Sequence, residues 1–310
     1  MKKVAFIFPG QGSQSFGMGK DFFENNDIAK EMIQKASERL NIDFEKLLFE
    51  ENDKLGLTEY TQPAILLVSS IANKIFKDKC DVKPEFVLGH SLGEFSALVA
   101  AGGLDYLDAI ELVHKRGQFM TEACSDGGAG MMALVGIADK AVEDICEAQR
   151  NEGKQIWPAN YNQDGQLVLA GIKADLESLV DTFKEAGAKR AIVLDMSVAS
   201  HCELLTAAVE NLKPYLEEYL KEEFLPVVSN VTAKPYTTKD EAIELLSSQL
   251  TSPVKYKQSI AANADKIDLF IEFGNGVVLK GLNRKICKET PTLNVNDMAS
   301  LEKVIEEVNS

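Results

Sequence analysis

Residues 86–101 read FVLGHSLGEFSALVAA, and this stretch decides the fold. A short apolar run meets Gly89-His90-Ser91-Leu92-Gly93, and a helical pattern of small and apolar residues begins at once. A glycine-x-serine-x-glycine between a strand and a helix forms a sharp turn that holds the serine hydroxyl clear of its neighbours. Its two glycines let the flanking backbone pack closely. The hydroxyl then sits at the N-terminal end of a helix, where partial positive charge favours a developing oxyanion. The same five residues also suit a tight turn that merely carries serine at its centre. The strand before it and the helix after it favour the first reading, which makes Ser91 the candidate nucleophile.

Working outward, a strand is expected over VAFIF (4–8), then helices through IAKEMIQKASERL (28–40), FEKLLFE (44–50), QPAILLVSSIANKIFK (62–77) and, beyond the elbow, YLDAIELVHKRGQFMTEA (106–123). Strands separated by helices predict an α/β domain with a mainly parallel sheet covered on both faces. SDGGAG (125–130) interrupts the pattern. After it come strand MMALVGI, helix AVEDICEAQRN, strands IWPANYN and QLVLAG, helix ADLESLVDTFKEAG and strand KRAIVLDMS. That βαββαβ order is the unit of a ferredoxin-like subdomain. The expected organisation is therefore a large α/β domain over 1–125 and 198–310, with a small subdomain over 126–197 inserted into it. The large domain resumes with a helix after His201, strand LPVVS, helices KDEAIELLSSQL and KYKQSIAANAD, strand DLFIEFG and helix VVLKGLNRKIC. SLEKVIEEVNS closes it as a surface helix.

The chain of 310 residues, 45% hydrophobic and 26% charged, can bury one large core or a core plus a small inserted one. A net charge of −15 argues against a nucleic-acid partner, which needs a basic surface. The start, MKKVAFIFPG, looks like a signal peptide but its apolar run is broken by Pro9-Gly10, and no stretch is long enough to cross a bilayer. Five scattered cysteines without a C-x-x-C pair suit reduced thiols in a cytoplasm, and neither a disulfide frame nor a metal site is expected.

A serine hydroxyl is a weak nucleophile until a base takes its proton. Three histidines are available. His90 adjoins the nucleophile on a sharp turn, where side chains diverge, so it reads as a packing or hydrogen-bonding residue. His114 lies near the polar helix face of Asp108, Glu111, Lys115, Gln118 and Glu122, which points to a solvated role. His201, in SVASHCELL, stands where the insert returns to the large domain, a junction from which a base can face a nucleophile across a cleft. A cap or core histidine is the competing reading there. No carboxylate stands out as a third member of a triad.

Arg116 sits three or four positions from Leu112, Val113, Phe119 and Met120, on the apolar stripe of its helix. A guanidinium there pairs with a carboxylate of the chain, snorkels to the surface, or waits for a carboxylate on the substrate. The last choice would make a serine enzyme selective for an acyl group bearing a free acid.

These residues resemble the malonyl-CoA:acyl carrier protein transacylases of type II fatty acid synthesis. The resemblance runs through FPGQGSQ, TQPAI, GHSLGEFSAL, KRGQFM, SVASH, QLTSPV and EFGNGVVLKGL. It implies a hydrolase-like α/β domain with a ferredoxin-like insert, and a ping-pong acyltransferase reaction. In that reaction Ser91 takes malonyl from malonyl-CoA and passes it to the phosphopantetheine thiol of acyl carrier protein. On that mapping His201 is the general acid and base and Arg116 binds the malonyl carboxylate. The main-chain N–H groups of Gln11 and Leu92 form the oxyanion hole, and the main-chain carbonyl of Gln249 orients the histidine. Gln62 is carried over as a cleft residue, with Asn160 and Asn162 facing the pantetheine. Coenzyme A and the carrier protein enter as substrates, no further cofactor is implied, and a cytoplasmic monomer is expected. Small residues in VASH, where relatives carry proline or phenylalanine beside the histidine, enlarge the expected pocket and leave strictness for malonyl over methylmalonyl open. An acidic carrier protein meeting an acidic chain requires a local basic patch: Lys280, Arg284, Lys285 and Lys288 first, with Lys184, Lys189 and Arg190 second.

Three rivals stand beside this reading. A serine esterase on the same elbow has no use for Arg116, and a non-catalytic acyl-CoA or carrier-protein binding module has none for Ser91 with His201. A nucleotide-binding loop would want a P-loop lysine or a complete G-x-G-x-x-G, where the chain has Gly10-Gln11-Gly12-Ser13-Gln14-Ser15.

Overall fold

Five apolar side chains in a row, none of them reaching solvent, make Val4–Phe8 a strand that is covered on both faces. The computed structural model, which describes residues 2–196 and 198–310, places this strand in the middle of a six-stranded sheet. The first part of the chain runs β1 (Val4–Phe8), α1 (Lys20–Asn25), α2 (Asp27–Leu40), α3 (Phe44–Phe49), α4 (Thr58–Lys79), β2 (Pro84–Gly89), α5 (Gly93–Ala101) and α6 (Tyr106–Ala123). There follow β3 (Ala129–Val135), α7 (Asp139–Asn151), β4 (Ile156–Gln163), β5 (Gln166–Ile172), α8 (Lys173–Ser178), α9 (Val180–Glu185) and β6 (Arg190–Val193). The last part is α10 (Thr206–Tyr219), β7 (Glu223–Val228), β8 (Pro235–Thr238), α11 (Lys239–Gln249), α12 (Tyr256–Ala261), β9 (Leu269–Phe273), α13 (Val278–Ile286), β10 (Thr292–Val295) and α14 (Met298–Asn309).

The large sheet has the order β10-β9-β1-β2-β7-β8 and is parallel except for β8, which pairs antiparallel with β7. β3 to β6 form a separate antiparallel sheet, β4-β5-β3-β6, which is the ferredoxin-like arrangement. Side chains alternate across it: Met132 and Leu134 enter a small core with Val142 and Phe183, whereas Ala129 and Met131 join the core of the large sheet. β4 is tied to the large part of the chain by main-chain bonds from Tyr161 N to Val254 O (2.9 Å) and from Val254 N to Ala159 O (2.8 Å). The boundary expected at 197/198 falls on a residue outside the described ones.

The structure departs from expectation in four places. The helix expected over 174–187 is broken at Leu179 into α8 and α9. The helix after His201 becomes α-helical only at Thr206, following a 3₁₀ turn at Glu203–Leu205. The short α1 was not anticipated. Two four-residue strands, β8 and β10, form the outer edges of the large sheet and carry too few residues for a periodic signal.

Ligands of open α/β sheets bind beyond the carboxyl ends of the strands. At those ends here lie the loop after β1 with Gln11, the elbow after β2 with Ser91, and the loop after β7 with Asn230.

Candidate active site

The elbow is built by close backbone contact. A Cβ on Gly89 would lie 1.9 Å from Gly93 C, one on Gly93 2.0 Å from Phe8 O, and one on Gly10 2.2 Å from His90 O. Glycine at these three positions therefore lets the loop after β1 press against the turn after β2. Ser91 itself has φ 53°, a left-handed conformation costly for a non-glycine residue. Asn230 holds it there: its Oδ1 accepts from Ser91 N at 2.6 Å and its Nδ2 donates to Gly89 O at 2.7 Å.

The Ser91 hydroxyl is 2.7 Å from His201 Nε2, and His201 Nδ1 is 2.7 Å from the main-chain oxygen of Gln249. A carbonyl can only accept, so Nδ1 carries the proton and Nε2 is left to accept from the serine. The group facing Nδ1 is thus a peptide carbonyl and not a carboxylate. His201 is buried, and burial, aided by the nearby Arg116 charge, pushes its pKa down to about 3. The imidazole is therefore neutral throughout the physiological range.

Arg116 is 1% exposed, which rules out snorkelling. Its Nη1 donates to Gln62 Oε1 (2.8 Å), its Nη2 to Gln249 Oε1 (3.0 Å) and to Ser91 Oγ (3.3 Å), and its Nε is buried with no acceptor. The guanidinium also lies over the Phe95 ring at 5.4 Å. Among the described residues no carboxylate touches it. Burial pushes its pKa down to about 10, so it remains charged at neutral pH.

Gln11 and Leu92 both line the same cavity as Ser91, and neither main-chain N–H has an acceptor among the described residues. The cavity holds about 700 Å³. Gln62, Asn160 and Asn162 are on its wall, and Asn162 Oδ1 bonds His90 Nε2 at 2.8 Å. His90 is thus the hydrogen-bonding elbow residue expected, packed 5.5 Å from the Tyr256 ring. Of the residues before His201 in VASH, Val198 and Ser200 line the cavity, whereas Ala199 is buried in the core.

His114 differs from expectation. It is half-buried, its Nδ1–H donates to Glu59 O at 2.7 Å and its Nε2 accepts from Gln118, which locks α6 to the start of α4 rather than serving a solvated face. In the basic patch, Arg284, Lys285 and Lys288 are exposed, but Lys280 is half-buried with its Nζ on Asn294 Oδ1.

Sequence reasoning missed Asn230, Tyr236 and Glu94. Glu94 is 1% exposed; its Oε2 accepts from Gln249 Nε2 (2.8 Å) and Asn230 N (3.1 Å), and its Oε1 from the Tyr236 hydroxyl (3.0 Å). Burial pushes its pKa up to about 7 against those bonds and Arg116. One signal was available. Glu94 is the sole charge in GEFSALVAA, a helix buried nearly all round, and the reasoning that singled out Arg116 applies to it equally.

The acyl transferase domain family matches residues 5–305. A malonyl CoA-acyl carrier protein transacylase of Bacillus subtilis is 41% identical over 309 residues, covering 99% of this chain and 97% of its own. The malonyl-CoA:acyl carrier protein transacylase structure of Helicobacter pylori aligns with a TM-score of 0.96 at 44% identity, over 100% of this chain and 99% of the other. A malonyl-transacylase solved with its type II PKS acyl-carrier protein aligns with a TM-score of 0.95 at 35% identity, over 98% and 99%. The chain belongs to the acyl transferase domain family, among the malonyl CoA-acyl carrier protein transacylases.

Proposed function

We propose that this enzyme moves a malonyl group from malonyl-CoA to the phosphopantetheine thiol of acyl carrier protein through a malonyl-Ser91 ester. The observation that carries this is Arg116: a buried guanidinium 3.3 Å from the nucleophile, with a bare Nε and no carboxylate partner among the described residues. A guanidinium with spare donors and no carboxylate in contact is suited to a ligand anion.

In the first half-reaction Ser91 Oγ passes its proton to His201 Nε2 as it attacks the thioester carbon, while Nδ1–H stays on Gln249 O. The oxyanion is received by the N–H groups of Gln11 and Leu92. Collapse expels the CoA thiolate, which takes the proton back from Nε2. In the second half-reaction the phosphopantetheine thiol gives its proton to the same nitrogen, attacks the ester, and Ser91 Oγ leaves with that proton. Arg116 holds the malonyl carboxylate through both steps, fixing the ester for a thiol and using binding energy for orientation. Protons and electrons balance without any cofactor. Gln62 and Gln249 position Arg116, and Asn160 and Asn162 face the pantetheine arm.

The carrier protein is placed against the exposed part of the basic patch, Arg284, Lys285 and Lys288. No helix among the described residues is long and apolar enough to cross a membrane. The five unpaired thiols support a cytoplasmic setting.

The test is intact mass after brief incubation with malonyl-CoA. Wild type is expected to gain one malonyl group and Ser91→Ala none. An unmodified wild type, or an equally modified mutant, overturns the mechanism.

A further inference from the structure

Arg116 and Glu94 are both buried, yet they do not touch; Gln249 stands between them. Arginine can only donate and an ionised carboxylate can only accept, so the Gln249 amide is held in one orientation, Oε1 to Arg116 Nη2 and Nε2 to Glu94 Oε2. The negative charge of Glu94 thus reaches Arg116 through a neutral relay, leaving the guanidinium free to take an anion. That anion is a second carboxylate. Two carboxylates sharing one arginine in a buried pocket leave a net negative charge there, and like charges so placed drive one of them to protonate.

The surroundings of Glu94 show which oxygen can take the proton. Oε2 is committed to two fixed donors, Gln249 Nε2 and Asn230 N. Oε1 has one partner, the Tyr236 hydroxyl at 3.0 Å, and a hydroxyl can rotate from donating to accepting without movement of any heavy atom. Around Glu94, the titratable groups acting on it are Arg116 from α6 and Tyr236 from β8. The loop after β7 presents Asn230, and α11 presents Gln249.

We propose that Glu94 is a positioning residue that serves as a removable counter-charge: ionised in the free enzyme, and protonated on Oε1 when the carboxylate of the acyl group occupies Arg116. Loading would then draw a proton from solvent onto Glu94, and acyl groups without a carboxylate would not. The ordinary titration range of Glu94, lifted to about 7 by burial, makes that uptake available at neutral pH.

The inference rests on the proposed malonyl transfer, and one experiment separates the two. Single-turnover loading from malonyl-CoA is followed at pH 7.5 in weak buffer with an indicator dye, while intact mass counts the acyl groups on the same samples. The Ser91 proton leaves on the CoA thiol, so the chemical step is itself nearly proton-neutral. Wild type is expected to take up about half a proton or more per acyl group. Glu94→Gln, which keeps the shape and removes the charge, loses the uptake whatever its loading rate. Loading without uptake overturns the counter-charge and leaves the transfer reading intact, and equal uptake in Glu94→Gln does the same. Failure to load at all overturns both. Should Glu94→Gln not fold, acetyl-CoA with wild type decides: uptake per acetyl group equal to that per malonyl group overturns the proposal.

Discussion

Replacing Arg116 by alanine removes the one guanidinium on the cavity wall among the described residues, the group proposed to bind the acyl carboxylate. The guanidinium offers five N–H groups, and three acceptors are assigned to it, Gln62, Gln249 and Ser91. That leaves the equivalent of two charge-assisted hydrogen bonds for the acyl carboxylate, each worth about 1.5–3 kcal/mol. Part of this is spent on desolvating the anion, and a net loss of about 3–4 kcal/mol corresponds to about 10²–10³-fold in kcat/KM for malonyl loading. The mutation also removes the stacking on Phe95 and the bond to Ser91 Oγ, and leaves Glu94 without its counter-charge, whereupon Glu94 protonates. Those costs fall on any acyl group. The ratio of malonyl to acetyl loading rates therefore isolates the clamp, and single-turnover loading from the two CoA esters, read by mass, measures it. Arg116→Ala should collapse the ratio by about 10²-fold or more, mainly by slowing malonyl. A ratio within about threefold of wild type would refute the assignment, however inactive the mutant were.

Three further outcomes are expected. Because His201 is held neutral down to about pH 3, its base form is present on both sides of pH 6.5, and kcat/KM for loading should not fall as pH drops from 8 to 6. A bell with its acid limb near 6.5 in a pH–rate profile would contradict the burial of that imidazole. Asn230→Ala leaves Ser91 N without its acceptor and Gly89 O without its donor, so the left-handed turn relaxes; a loss of about 1–3 kcal/mol in stability together with slower loading is expected. Melting and loading that both match wild type would show that the elbow holds without it. Arg284→Glu with Lys285→Glu should raise the carrier-protein KM by about tenfold, or 1.4 kcal/mol, and leave loading from malonyl-CoA unchanged. An unchanged carrier-protein KM would move the docking surface elsewhere.

What could be read from the sequence depended on whether a residue's role is set locally. Ser91 is placed by its own neighbours, since the glycines on either side and the strand and helix flanking them are all within a few positions, and so the elbow was legible. The edge strands β8 and β10 are four residues each with ladder partners on one side only, so no run of alternating or apolar residues announces them. Polar residues recruited from afar are harder still. Asn230 is 139 residues from Ser91, and nothing in SNVTA says that its amide will hold a serine in place. Arg116 was found because a charge on an apolar stripe is costly wherever it occurs, an argument that needs no partner to be known. Glu94 meets the same test, but an acid in the first turn of a helix also complements the dipole, so its charge has an ordinary reason to be there. The triad shows the remaining limit. A search for a third acidic member could not succeed, because His201 is oriented by a peptide carbonyl that every residue possesses, and the carboxylate that the site does contain lies beyond Gln249, where it bears on Arg116 instead.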